Sequence, residues 1–108
     1  MSKYVVSREE CSKHNIFPGV DIFTTAGERM MLSFVEFEPH AVVEMHSHPH
    51  EQIVNVLEGT LELIVAGTPH VLNAGDVFVI PGGVPHACVA HAPTRVLDVF
   101  SPVREEYR

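Results

Sequence analysis

Turn signals recur every eight to twelve residues from Val20 onward, and no stretch of amphipathic helical period between them reaches three turns. Such spacing leaves room only for short strands. Arg29 to Glu38 alternates: Met31, Ser33, Val35 and Phe37 face one way, and Met30, Leu32, Phe34 and Glu36 the other. Both faces are largely apolar, which predicts a strand covered on two sides. Ala41 to His48 reads as the next strand. Gln52 to Leu57 and Thr60 to Ala66 flank Glu58-Gly59, which reads as a two-residue hairpin. Further turns are expected at Ala66-Gly67-Thr68 and Asn73-Ala74-Gly75-Asp76, and further strands at Val77 to Ile80, Val84 to Ala90 and Thr94 to Phe100. Upstream, Ser7 and Glu10 have capping-box spacing for a short helical turn, and Phe17-Pro18-Gly19 breaks the chain. The pattern predicts an all-β domain, a sandwich or barrel of the jelly-roll kind.

At 108 residues the chain is read as one domain. Residues 1–19 are expected to form a short turn or helix and a strand, 20–101 the barrel core and 102–108 a tail. Its formal charge is −7, and the seven Lys and Arg are scattered. Binding to nucleic-acid phosphates needs a basic face, and none is visible. The charge repels anionic ligands at long range, so such a ligand needs a local cation to hold it. No apolar run is long enough for a signal segment or a membrane span. Cys11 and Cys88 lack framework spacing and read as reduced thiols. A cytoplasmic protein without a membrane or nucleic-acid partner is expected.

Eight histidines are present, three of them in His46-Ser47-His48-Pro49-His50. On a strand, residues two apart share a side, so His46 and His48 present two imidazoles about 6–7 Å apart along it. That suits one metal ion, although a solvated histidine cluster has the same composition. His50 follows Pro49, where a turn is expected. His70 and His91 read as surface or turn residues. On spacing alone, His86 reads as a packed core histidine.

Two longer patterns extend this. His46, His48, Gln52 and Gly59 follow His-x-His, three residues, an acidic or amide residue, six residues, Gly. Gly75, Pro81, Gly83 and His86 follow Gly, five residues, Pro-x-Gly, two residues, His. In order and spacing these resemble the two motifs of the cupin family. The resemblance implies a single-domain cupin β-barrel with His46, His48, Gln52 and His86 as ligands of a divalent transition metal ion. Three imidazoles suit Zn, Ni, Fe, Cu or Mn without selecting one. Two departures are His40, where the family usually opens its first motif with Gly, and Ala90, where Asn usually closes the second. Gln52 stands where many cupins have Glu. A neutral amide leaves the ion's charge uncompensated, making it a better anchor for a carboxylate. Glu51, beside it, points the other way by strand alternation.

Near the C-terminus, Asp98 shares a strand face with Val96 and Phe100. A carboxyl inside a barrel is a candidate general acid or base, and an Asp at a strand end facing water has the same spacing. The run from Leu97 to Tyr107, including Asp-x-Phe-Ser-Pro-x-Arg-Glu, resembles the pectin-degradation cupins of the KdgF type. Pro18-Gly19-Val20 through Gln52 is similar to them too, including Ala26-Gly27-Glu28-Arg29-Met30-Met31. The resemblance implies linearisation of 4,5-unsaturated uronates, an anionic sugar substrate, Asp98 and Arg104 as catalytic residues, and Phe100 and Arg104 as substrate-binding residues. Arg104 in a solvated ion pair with Glu105 or Glu106 is the plainer alternative. Two other functions fit the same motifs: a non-catalytic sugar-binding or sensory cupin, and an oxygen-using metalloenzyme of the dioxygenase kind. A homodimer is expected from the doubly apolar strand.

Overall fold

The computed structural model describes residues 4–108. Among these, ten strands run β1 (Ser12–Phe17), β2 (Val20–Ala26), β3 (Met31–Phe37), β4 (Val42–His46), β5 (Glu51–Glu58), β6 (Thr60–Val65), β7 (Thr68–Asn73), β8 (Val77–Ile80), β9 (His86–Ala90) and β10 (Thr94–Ser101). Short 3-10 turns at Arg8–Glu10 and Glu105–Tyr107 flank them. At the first, the Ser7 backbone N–H donates to the Glu10 carboxylate at 3.0 Å, as the capping spacing predicts. No described helix is long and apolar enough to cross a membrane.

Two antiparallel sheets face each other as a jelly roll. Six strands form one, in the order β1-β2-β3-β10-β5-β8, and four form the other, in the order β4-β9-β6-β7. Strand period decides what lies between them. Along the inner face of the larger sheet, the ladder aligns residues into rows. One row, Ile22, Val35, Val96 and Val56, is wholly buried and apolar. The next holds Thr24, Ser33, Asp98, Val54 and Phe78, and the one nearest the barrel mouth holds Ala26, Met31, Phe100, Gln52 and Ile80. Each fully buried Val or Ile contributes about 1.5–3 kcal/mol, so the apolar rows hold the barrel and leave the polar positions free for chemistry.

The Glu58-Gly59 hairpin does not form. β5 and β6 belong to different sheets: β5 pairs with β10 and β8, and β6 with β7 and β9. Only Gly59 separates the two strands, too few residues to reverse the chain, so the backbone turns a corner between sheets instead. Gly59 has φ +87°, and a Cβ there would lie 2.3 Å from the Pro93 carbonyl oxygen. The true two-residue hairpin is Ala66-Gly67, which joins β6 to β7 with both residues at positive φ.

Three other expectations are adjusted. β4 ends at His46 rather than His48. β3 is covered on one side only: Met31, Ser33, Val35 and Phe37 are buried, whereas Met30 and Leu32 are exposed, and over Phe34 lies the Arg8 guanidinium at 4.0 Å. The turn at His40 survives the loss of glycine, with His40 itself at φ +69° and its N–H bonded to Ala90 O at 2.8 Å.

Gly59→Ala is expected to cost more than about 2 kcal/mol, because it adds both a clash and a strained φ. Urea unfolding measures this; a loss below about 0.5 kcal/mol would show that the corner can relax.

Candidate metal centre

Three imidazoles converge at the barrel mouth. His46 and His86 are cross-strand partners of β4 and β9, with ring centroids 4.3 Å apart. His48 reaches the same point from the loop after β4, its ring 4.9 Å from His86 and 5.6 Å from His46. One ligand atom from each lies within 4.8 Å of those of the others. That loop is fixed from outside. Gly83 N–H donates to His48 O at 2.8 Å, and a Cβ on Gly82 would lie 2.3 Å from Pro49 O. The Pro81-Gly82-Gly83 turn of the second motif thus docks backbone to backbone on the first.

Each ring is oriented by a main-chain carbonyl. Nδ1–H donates to Glu44 O from His46 (2.9 Å), to His50 O from His48 (3.0 Å) and to Val84 O from His86 (2.9 Å). A carbonyl can only accept, so the proton sits on Nδ1 and the Nε2 lone pair is bare. This is how metal-binding histidines are held. Burial holds His86 below the usual histidine range, and burial with the Arg104 and His86 charges lowers His48 to about 4.

Gln52, buried on β5, sits with its Oε1 3.1 Å from His48 Nε2. Both atoms are acceptors in this tautomer, and a shared cation resolves their repulsion. Buried His86 Nε2 also has no partner. Donor set, tautomers and orphaned acceptors therefore fit a divalent ion. Glu51 is exposed and faces away.

The cavity beside the imidazoles is lined on one side by Ser33, Asp98, Phe100, Arg104 and Tyr107. Asp98 lies one row deeper than Gln52 and lines the cavity. Its Oδ1 has no hydrogen-bond partner. Burial raises its carboxyl to about 7, against the opposing pull of a Gln52 hydrogen bond and the Arg104 charge. Arg104 is 13% exposed rather than solvated. Its guanidinium lies 5.2 Å from the Phe100 ring and 4.7 Å from that of Tyr107, it pairs with Glu106 at 3.2 Å, and its buried Nε has no partner. Phe100 lies edge-on to His48 at 5.7 Å.

Sequence reasoning passed over Tyr107 and Ser33, which both line the cavity. Ser33 was legible as the one hydroxyl on an apolar strand face; Tyr107 carried no local signal. His50 borders the site, 5.5 Å from His48. His70 lies against Phe78, and His91 pairs with Glu62 on the surface. Cys11 and Cys88 are both free, and burial pushes the Cys88 thiol up to about 12.

A jelly roll with histidines of both motifs at one mouth defines a class, and the cupin domain pattern matches residues 33–100. The chain belongs to the cupin family. Within it, the chain is similar to the pectin degradation protein KdgF of Dickeya dadantii, with 31% identity over 85 residues, 77% of each chain. Its fold matches the structure of KdgF from a Halomonas species with a TM-score of 0.88 and 31% identity, covering 97% of this chain and 98% of that one. An RmlC-like cupin from Shewanella frigidimarina matches with a TM-score of 0.90 and 30% identity, over 99% and 97% of the two chains. A shorter match, 34% identity over 61 residues, is to the dimethylsulfoniopropionate lyase DddW of Ruegeria pomeroyi, covering 56% of this chain and 40% of that enzyme.

The raised Asp98 carboxyl has a stability consequence. The folded state holds this proton at pH values where the unfolded chain has released it, so the stability contribution is complete at acid pH and is lost as pH rises through about 7. In chelator-treated protein, Asp98→Asn is therefore expected to gain roughly 2–3 kcal/mol relative to wild type between about pH 5 and pH 8. A difference in urea unfolding that does not vary with pH would show an Asp98 carboxyl that ionises as it does in water.

Proposed function

We propose that the chain is a metal-dependent enzyme that opens 4,5-unsaturated monouronates, as released in pectin or alginate breakdown, to linear keto sugars. The observation that carries this reading is the meeting of Asp98 and Arg104 with His46, His86 and Gln52 on one cavity, His48 standing beside them in the histidine cluster. His46, His48, Gln52 and His86 hold the ion. When bound, it supplies positive charge to a carboxylate and a neighbouring oxygen. Similarity to KdgF gives the substrate class.

The cyclic substrate is an enol ether next to a carboxylate. Opening it requires four changes: the anomeric hydroxyl loses a proton, the bond from C1 to the ring oxygen breaks, C5 becomes a ketone and C4 gains a proton. The net change is an isomerisation that consumes no water. Asp98, near the midpoint of its titration at neutral pH, accepts and returns that proton. Arg104 offers a planar fork for the carboxylate. Phe100 and Tyr107 flank the guanidinium and limit its swing. Gln52 donates to Asp98 while its Oε1 faces His48, so one amide couples the carboxyl to the ligand cluster.

The free thiols Cys11 and Cys88 support a reducing, cytoplasmic setting. A second copy would seat on the outer face of the larger sheet. There Phe34, Leu97 and Val77 lie in one register row and Leu32, Val99, Ile53 and Val79 in the next. Arg95, Glu36 and Glu58 at its rim carry both charge signs, which suits a self-complementary two-fold contact. Light scattering should give twice 12.0 kDa, and Leu97→Lys should return the single-chain mass. A wild type at the single-chain mass excludes the dimer.

Metal-loaded protein should bleach the absorbance of the conjugated uronate. Chelation should abolish the activity, and Asp98→Asn should slow it by about 10²–10⁴-fold. Unchanged absorbance with loaded wild-type protein rejects the reading, and tight binding without turnover would make the chain a sugar-binding cupin. Parallel assays on dimethylsulfoniopropionate and of oxygen consumption test the lyase and dioxygenase alternatives.

A further inference from the structure

We infer that Thr24 and His14 are positioning residues: they latch the C-terminal tail across the barrel through the main-chain carbonyl of Tyr107 and so fix where Arg104 stands. This rests on the reading of Arg104 as the substrate's carboxylate partner.

The tail is not held by its charges. Glu105, Glu106 and Arg108 are exposed, and among the described residues Arg108 pairs with Glu105, three positions before it. What holds it is buried. Val103 packs with Met31 and Phe100, and Tyr107 touches both this cluster and the main barrel core. At the far end, the Tyr107 carbonyl accepts from the Thr24 hydroxyl and from His14 Nε2–H at 3.2 Å. The Tyr107 ring lies 5.6 Å from that of His14. Thr24 is 1% exposed and stands on the inner face of β2, where the pattern otherwise calls for an apolar side chain. A buried hydroxyl is costly unless bonded, and this one faces the Tyr107 carbonyl, with Ser12 O a second acceptor at 3.5 Å.

Register explains why the latch matters. Thr24 pairs with Ser33, and Ser33 with Asp98, across adjacent strands. The tail is therefore pinned in the same row as Asp98, two strand spacings or about 10 Å away. Between Phe100 on β10 and the pinned Tyr107, the Arg104 guanidinium lies against both rings. Release of Tyr107 removes one of those two rings and leaves Arg104 anchored on one side only, at Val103. The guanidinium then loses its fixed position over the cavity, whereas the metal ligands, on other elements, do not move.

The test uses Thr24→Val, which keeps the shape and removes the hydroxyl, and Thr24→Ser, which restores it. Thr24→Val should raise KM for the unsaturated uronate roughly five- to tenfold, the effect of one lost orienting hydrogen bond, with kcat within about threefold and metal binding unchanged. Thr24→Ser should match wild type. A second readout needs no activity. Without Trp, the fluorophores are Tyr4 and Tyr107, so Tyr4→Phe leaves Tyr107 alone. Acrylamide should quench Tyr107 weakly in that background and strongly once Thr24→Val and His14→Phe are added. An unchanged KM in Thr24→Val, or a Tyr107 still protected in the triple variant, overturns the latch. If wild-type protein proves inactive on the uronate, the substrate reading fails and the quenching result alone decides the latch.

Discussion

Three main-chain carbonyls organise this molecule's chemistry. By accepting the Nδ1 protons of His46, His48 and His86, they turn three bare nitrogen lone pairs toward one point. Two of these carbonyls, Glu44 and Val84, lie two residues before their histidine, and the third, His50, two residues after it. The geometry is therefore local in sequence even though the rings come together only in the fold. Burial discourages protonation of His48 and His86, so the cluster stays available to a cation rather than to protons. With Gln52 as a fourth, neutral acceptor, nothing in the cluster cancels an ion's charge.

The barrel separates stability from chemistry by row. The deep rows are apolar and close-packed, whereas the two nearest the mouth carry Thr24, Ser33, Asp98 and Gln52. An ionised carboxylate at Asp98 opposes folding by an amount comparable to the burial of one or two aliphatic side chains. The barrel tolerates this because its buried aliphatic side chains are far more numerous than its buried polar ones. The same arrangement sets Asp98 on the cavity that His46 and His86 also line.

The tail completes the site by a different principle. It contributes Arg104 and Tyr107 not through a strand ladder but by lying across the barrel and being tied at its far end. Its exposed ion pairs are worth little individually; the buried Val103, Tyr107 and Thr24 contacts hold it.

Much of this was legible in the sequence, since period and turn chemistry are local. The alternation of Met31, Ser33, Val35 and Phe37, the turns at Ala66-Gly67 and Asn73 to Asp76, and the limits of Val77 to Ile80 follow from side chains reading their own backbone. The spacing of His46, His48, Gln52 and His86 marked the family for the same reason. Other features depended on neighbours distant in sequence. Whether Gly59 closes a hairpin or turns a corner is set by Pro93 and Thr94 pressing on it, which no local pattern records. His48 left its strand yet kept its place because Gly82 and Gly83 dock on its loop. Strand alternation could put Asp98 beside Val96 and Phe100, but only the assembled barrel set it in a row with Ser33 and Thr24. Tyr107 gained its role only when the tail crossed to β1 and β2. Sequence determined which side chains could bind a metal or carry a proton, because that is a property of residue type. Tertiary structure decided which of them share one cavity, because that depends on contacts between segments far apart in the chain.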